Sequence, residues 1–135
     1  MSENILEEYA NVHDNKILSY NVDIYNKKLQ MLTQYYDREK TTITFTGFIA
    51  HQFDFVTYSN IIFSITQVSV DYFIDENTDA LSEGLRYAFP ISAKDCEDLR
   101  IYLKKNMQKV FEISSSLGLS GFVIAQEILI EVIEL

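Results

Sequence analysis

Five carboxylates between residues 71 and 83 are the side chains whose type and spacing best suggest chemistry in this sequence. Asp71, Asp75, Asp79 and Glu83 follow one another at intervals of four, and Glu76 flanks them. At about 100° per residue, a helix would place them on one face. Concentrated negative charge can attract a basic partner and raise its association rate. We therefore expect these five residues to form a partner-binding surface.

Two other interpretations of these carboxylates were considered. The segment Asp75–Asp79 matches the start of a calcium-binding loop, which also needs glycine at its sixth position and a bidentate glutamate at its twelfth. Those positions hold Ala80 and Arg86, so we expect no metal ion here. A charged helix face that simply contacts water also accounts for the pattern.

Residue types that could catalyse a reaction do not combine into a recognisable set. His51 and Asp54 are three apart, so a strand would direct them to opposite faces. Cys96 has no histidine nearby in the sequence and falls in the apolar stripe of a predicted helix. The segment Ser114–Gly121 lacks the lysine of a phosphate-binding loop and the pattern of a nucleophile elbow. We expect a protein that is not an enzyme, with no catalytic residue and no cofactor.

Two helices are expected in the middle of the chain. Ser69–Phe89 is amphipathic, with an apolar side opposite the carboxylates. Asn77 and Thr78 mark a break in this helix, because a polar residue falls on the apolar face there. Ser92–Asn106 is predicted as a second helix, with the Ser92 side chain as its N-terminal cap.

Strands are expected on both sides of the helices, because apolar and polar residues alternate there. In the first strand we expect Leu18, Tyr20, Val22 and Ile24 to share the inward face. In the second strand we expect Leu29, Met31, Thr33 and Tyr35 to share one face, and in the fourth Ile61, Phe63 and Ile65. Gly47 predicts a bend, after which His51–Phe55 continues its strand, and Ser2–Asn11 is predicted as a short helix. The predicted strands are Lys16–Tyr25, Lys28–Tyr36, Thr41–Ile49, Asn60–Thr66, Val110–Ser114 and Phe122–Ile133.

This order of elements predicts an α+β fold. We expect a curved antiparallel sheet of about six strands, with two helices inserted between strands 4 and 5 and packed on one side. The length of 135 residues fits a single domain, 1–135.

Composition narrows the classes of partner. The formal net charge of −9 argues against nucleic acid, whose binding needs lysine and arginine to displace phosphate counterions. The apolar runs are too short for a membrane span, and the acidic N-terminal residues do not resemble a signal peptide. One cysteine fits a reducing compartment. We therefore expect a cytoplasmic protein whose partner is another protein, and the acidic charge is compatible with a basic partner.

Two segments carry a resemblance to a known group of proteins. One is Arg86–Pro90, which leads into the Ser92 helix, and the other is Phe111–Val123, with the Ser-Ser-Ser-Leu-Gly-Leu-Ser-Gly stretch inside it. Together they resemble small acidic proteins of Gram-positive bacteria, which are uncharacterised or assigned as immunity proteins beside polymorphic toxins. The resemblance implies a non-enzymatic role, namely binding and blocking a cognate toxin. It identifies no site residues.

Our first functional hypothesis is therefore a protein-binding domain of this immunity type. A second is a cup-shaped domain that binds or transforms a small molecule, because the bend at Gly47 and the aromatic strands could form an apolar pocket near Tyr35, Phe45 and Phe63.

The last predicted strand suggests a third hypothesis. Phe122–Ile133 is partly apolar on both faces, so either a helix or a second subunit must cover the second face. A homo-oligomeric structural protein, with a homodimer as its simplest form, would join its copies through Val123, Leu129 and Ile133.

Overall fold

The computed structural model describes residues 4–133, which form an α+β fold with antiparallel strands. The strands in this range are β1 (Ile5–Glu8), β2 (Lys16–Asp23), β3 (Lys28–Gln34), β4 (Lys40–Thr46), β5 (Ala50–Asp54), β6 (Asn60–Val68), β7 (Lys109–Leu117), β8 (Ser120–Ala125) and β9 (Glu127–Ile133). The helices are α1 (Val70–Glu76), α2 (Thr78–Leu85) and α3 (Cys96–Lys105). The predicted class is confirmed. The prediction of six strands, with two helices between the fourth and fifth, is wrong, because the described part of the chain has nine strands and its three helices lie between β6 and β7.

The sheet bends sharply at one corner. Its strand order is β5-β8-β7-β6-β2-β3-β4-β9, and β1 pairs with β6. β4 pairs with β9 and β5 pairs with β8, so two neighbouring strands turn together at Gly47 and Gln126. Gly47 has a φ of +65°, and the Gln126 amide donates to the Thr46 carbonyl at 2.9 Å. The predicted bend at Gly47 is confirmed, whereas the unbroken strand Phe122–Ile133 is wrong because Gln126 interrupts it at this corner.

The main core lies between the two arms of the bent sheet. Leu29 and Met31 of β3 alternate inward as predicted, and Phe45 of β4 packs on Phe111 of β7 with 5.4 Å between ring centroids. Fully burying a side chain of this size stabilises the fold by about 1.5–3 kcal/mol. The space between the two arms is occupied by buried apolar side chains of this kind.

Irregular pairing changes the inward faces of β2 and β6. The register shifts after Ile17 in β2 and twice near Ile62 in β6. Ile17 and Ile62 are consequently buried, while Leu18 and Phe63 are exposed. The predicted inward set of β6 holds for Ile65 but is wrong for Phe63, because a bulge reverses the faces of all residues beyond it. Tyr20 of β2 and Ile24, which follows the end of β2, are also exposed, contrary to the prediction.

The helices cover the outer face of β7 and β8. Val110 and Ile124 belong to this face and share a second core with Phe73, Leu99 and Leu103 of the helices. Helices on one side of an antiparallel sheet are thus confirmed. The longest of the described helices has ten residues, and none of them has the length and apolar character that a membrane crossing requires.

The break in the acidic helix is where the sequence predicts it. Asn77 Nδ2 donates to the carbonyl oxygen of Phe73 at 2.7 Å, and Thr78 Oγ1 donates to that of Ile74 at 2.9 Å. These side chains satisfy the last carbonyls of α1. The helix predicted over Ser69–Phe89 is therefore two short helices.

Two predicted helix starts are wrong. α3 begins at Cys96 because the Asp95 carboxylate accepts from the Asp98 amide at 2.8 Å, so Asp95 and not Ser92 is the cap. The helix predicted for Ser2–Asn11 is also wrong over its described residues, since β1 pairs with β6 there and a 3₁₀ turn follows. Ser2 itself lies outside the described range.

Candidate functional site

The first two carboxylates of the predicted surface are bound within the protein. The Ser69 hydroxyl accepts from the Tyr72 amide at 3.0 Å and caps α1, which places Asp71 and Asp75 opposite α3. Arg100 of α3 reaches across, with 2.6 Å between its Nη1 and Asp71 Oδ1 and 2.8 Å between its Nη2 and Asp75 Oδ1. Lys104 also contacts Asp71, at 2.9 Å. We call Asp71 and Asp75 the paired half of the acidic surface.

Protonation of this half follows from these contacts. Hydrogen bonds from Lys104 and then Arg100 hold the pKa of Asp71 below its ordinary value. The same contacts, with Asp75 first and Asp71 second, raise the pKa of Arg100 above its already high value. Glu97 lies 3.3 Å from Arg100 Nε. One guanidinium thus serves three carboxylates, and the paired half holds α1 against α3.

The other three predicted residues lie at and beyond the helix break. Glu76, the last residue of α1, and Asp79 of α2 border a shallow depression at the junction of the two helices, which Asp75 also lines. Glu83 lines a deeper groove and is also within 3.2 Å of Arg86. The five carboxylates therefore do not share one set of neighbours. Asp75 belongs both to the Arg100 contact and to the depression, whereas Glu83 lies in the groove.

The deeper groove runs between α2 and the outer face of β5 and β8, and its volume is about 500 Å³. We call it the acidic groove, because three carboxylates and no lysine or arginine are among the residues that line it. Phe89 and Phe122 supply an aromatic wall, with 6.3 Å between ring centroids. The lining residues are Gln52, Asp54, Asn77, Ala80, Leu81, Glu83, Gly84, Phe89, Glu112, Gly121 and Phe122.

Glu112 is the half-buried carboxylate of the acidic groove. It belongs to β7, where its neighbour across the sheet is Phe122 of β8. Burial raises the pKa of Glu112, and the negative charge of Glu76 raises it further. No salt bridge within residues 4–133 engages Glu112. An anion that is partly removed from water without a counter-charge is stabilised by an arriving cation.

The wall of the groove depends on Gly121, which lies opposite Phe53 of β5 and Ile113 of β7. Its φ is +151°, and a Cβ at this position would overlap the Gln52 carbonyl oxygen. Glycine therefore lets β5 approach β8 closely enough to complete the sheet beside the groove.

Sequence reasoning missed Asp54 and Glu112. The alternation of β7 contained a usable signal, because Glu112 shares a face with Val110, and that face had to meet the helices. Asp54 gave no such signal, since its approach to the groove follows from the pairing of β5 with β8, far away in the chain.

A second cavity, of about 410 Å³, lies beside the 3₁₀ turn at the ends of β3, β4 and β9. We call it the mouth cavity. His13 Nδ1 is 3.2 Å from Asp14 Oδ2, and the Arg38 guanidinium lies 5.4 Å from the centroid of the Tyr35 ring. All four residues line the cavity.

The apolar pocket expected near Tyr35, Phe45 and Phe63 does not form from these three residues. Phe45 is completely buried in the main core, Phe63 is largely exposed, and neither lines the mouth cavity.

The remaining candidate groups lie apart from both cavities. His51 packs among Tyr20, Phe48 and Phe53, and burial lowers its pKa. Cys96 packs in the helical core, with its Sγ 3.5 Å from Ser82 Oγ. Over the described range, histidine, cysteine and acidic side chains do not converge in a group of three or more that could hold a metal ion.

Comparison with known proteins finds no counterpart for this chain: no family model, no curated protein and no solved structure matches it.

Proposed function

We propose that this protein is a non-enzymatic binding protein whose acidic groove receives a basic segment of another protein. The observation that carries the proposal is Glu112, which is half-buried beside an aromatic wall and forms no salt bridge within residues 4–133. Asp54 and Glu83 add negative charge to the same groove. Its volume of about 500 Å³ lies within the range of about 300–1,000 Å³ typical of ligand pockets.

An arginine side chain of the partner matches the groove. Its guanidinium could bond a carboxylate with two parallel hydrogen bonds and stack on an aromatic ring such as Phe122. The net charge of −9 would increase the encounter rate with a basic protein at low salt. Inhibition of a cognate bacterial toxin, the role implied by the family resemblance, is one form that this binding would take.

A displayed library of random peptides tests the proposal. Peptides would be selected on the wild-type protein and then compared on two charge-matched variants, Asp54→Asn/Glu112→Gln in the groove and Asp71→Asn/Asp75→Asn in the paired half. We expect enrichment of arginine and lysine, with affinity that falls at least about tenfold on the groove variant. Affinity on the paired-half variant should stay within about threefold of wild type. Equal losses on both variants, or selected peptides without basic residues, would contradict the proposal.

A further inference from the structure

The outer edge of β9 is unpaired by strands in the described part of the protein. β9 pairs with β4 along all seven of its residues, from Glu127 opposite Thr46 to Ile133 opposite Lys40. It ends the strand order of the sheet, and no other strand within residues 4–133 pairs with it. Its second edge therefore presents backbone N–H and C=O groups that another strand could satisfy.

This edge has few of the features that prevent edge-to-edge pairing. Natural edge strands are commonly short, bulged, or protected by lysine or proline. β9 pairs in regular register with β4 and contains neither residue, and its only charged side chains are Glu127 and Glu131. Leu129 is 51% exposed and Val132 is 57% exposed. A regular strand with exposed apolar side chains is a preferred site for strand addition.

We infer that β9 pairs antiparallel with β9 of a second copy, about a two-fold axis at Ile130. In this register all seven residues of β9 pair with the second copy, and no two glutamates lie directly opposite each other. Leu129 lies opposite Glu131 of the second copy, and Glu127 lies opposite its Ile133. The sheet β2-β3-β4-β9 continues through the interface into the second copy, and the interface is isologous, as closed dimers require.

Charge distinguishes this register from its neighbours. In an antiparallel pair, residues directly opposite each other point to the same face of the sheet. The two-fold axis must therefore pass through a residue position and not between two residues. An axis at Leu129 places Glu127 opposite Glu131 of the second copy, and an axis at Glu131 places two copies of Glu131 opposite each other. Like charges directly opposite each other destabilise a strand pair. The axis at Ile130 avoids both arrangements while it keeps all seven residues paired.

The inference is independent of the proposed function, since none of the residues that line the acidic groove belongs to β9. The 135-residue protein should sediment as a dimer of twice 15.7 kDa at about 100 µM. A monomeric wild type at that concentration would overturn the inference and leave the edge to a strand from another protein. Larger, polydisperse aggregates in place of a discrete dimer would also overturn it.

Two substitutions at one position test the register. Leu129→Glu places like charges opposite each other twice in the dimer, and it should raise the dimer dissociation constant at least about tenfold. Leu129→Lys removes the same apolar side chain but places lysine opposite Glu131 of the second copy, so it should keep the dimer. Leu117→Glu, at an exposed residue of β7, is the control and should dimerise like wild type. Circular dichroism of each variant verifies folding.

Two outcomes of this series contradict the register. If Leu129→Lys dissociates the dimer as strongly as Leu129→Glu does, apolar contact without the stated pairing would explain the association. If Leu129→Glu dimerises as tightly as wild type, β9 would not form the interface.

Discussion

The paired half of the acidic surface and the acidic groove both contain carboxylates but have opposite electrostatic surroundings. In the paired half, Asp71 faces Arg100 and Lys104, and its pKa is lowered. In the groove, Glu112 faces Phe122 and the charge of Glu76, and its pKa is raised. A spacing of four along a helix does not distinguish these cases. The element packed opposite each carboxylate decides whether its charge is neutralised within the protein or remains available to a partner.

This difference assigns separate roles to the paired half and the acidic groove. Arg100 connects Asp71 and Asp75 of α1 to α3, and the paired half carries no proposed binding role. In the acidic groove, Glu112 has no salt-bridge partner within residues 4–133, which costs stability and favours the binding of a cation. The proposed function therefore depends on the groove alone.

The largest expected effect comes from removing the structural support of the groove. Gly121→Ala places a Cβ against the Gln52 carbonyl at a backbone conformation that alanine rarely adopts, and it should lower the free energy of unfolding by about 3 kcal/mol or more. Gly84→Ala, at the helical side of the same groove, is the control. Its Cβ would lie 3.0 Å from Phe89, but alanine favours helix by about 1 kcal/mol, so its effect should be much smaller. Urea unfolding measures both, and equal losses would contradict this account of Gly121.

A smaller effect is expected when the paired half loses its cation. Arg100→Met leaves Asp71, Asp75 and Glu97 without the guanidinium they share, and it should cost about 1–2 kcal/mol of unfolding free energy, less at high salt. Arg86→Met removes a single exposed pair with Glu83 and should change stability by less than about 0.5 kcal/mol. If the two variants lose equal stability in urea unfolding, the paired half has no special structural role.

The pH dependence of stability should have opposite signs for Glu112 of the acidic groove and Asp71 of the paired half. Because the pKa of Glu112 is raised by folding, its ionisation opposes folding, and stability is lost as pH rises from the ordinary glutamate value through the raised value. Glu112→Gln should therefore stabilise the protein at neutral pH and lose this advantage in acid. A destabilised Glu112→Gln at neutral pH would contradict the raised pKa.

Asp71 supplies the opposite case. Its pKa is lowered by folding, so its contribution is present above the ordinary aspartate value and is lost as pH falls through the lowered value. Asp71→Asn should therefore destabilise the protein at neutral pH and have little effect in strong acid. Urea unfolding between about pH 3 and pH 8 measures the stability of both variants. If the two variants change stability with pH in the same direction, the distinction between the acidic groove and the paired half is lost.

Local signals in the sequence predicted a substantial part of the fold. Gly47 marks the corner of the sheet, and the polar pair at Asn77 and Thr78 marks the helix break. The alternation of β3 correctly identifies Leu29 and Met31 as core residues. Each of these features depends on a few neighbouring residues.

The errors have long-range causes. β1 is a strand because β6 offers it an edge, which overrides the local helical pattern. Gln126 interrupts the last predicted strand because β4 and β5 turn beside it. Asp71 and Arg100 are 29 residues apart, so no local pattern could show that the paired half of the acidic surface is already neutralised by a cation of the protein. The acidic groove likewise exists only because β5, β7 and β8 assemble beside α2.

The most direct test of the central claim is an amide NMR titration of the 135-residue protein with octa-arginine peptide. We expect the largest shifts at groove residues such as Glu112, Gly121 and Phe122, with small shifts at Asp71 and Arg100. Asp54→Asn/Glu112→Gln should remove the groove shifts, whereas Asp71→Asn/Asp75→Asn, with the same change in net charge, should retain them. Shifts centred on α1 and α3, or equal loss in both variants, would contradict the assignment of binding to the groove.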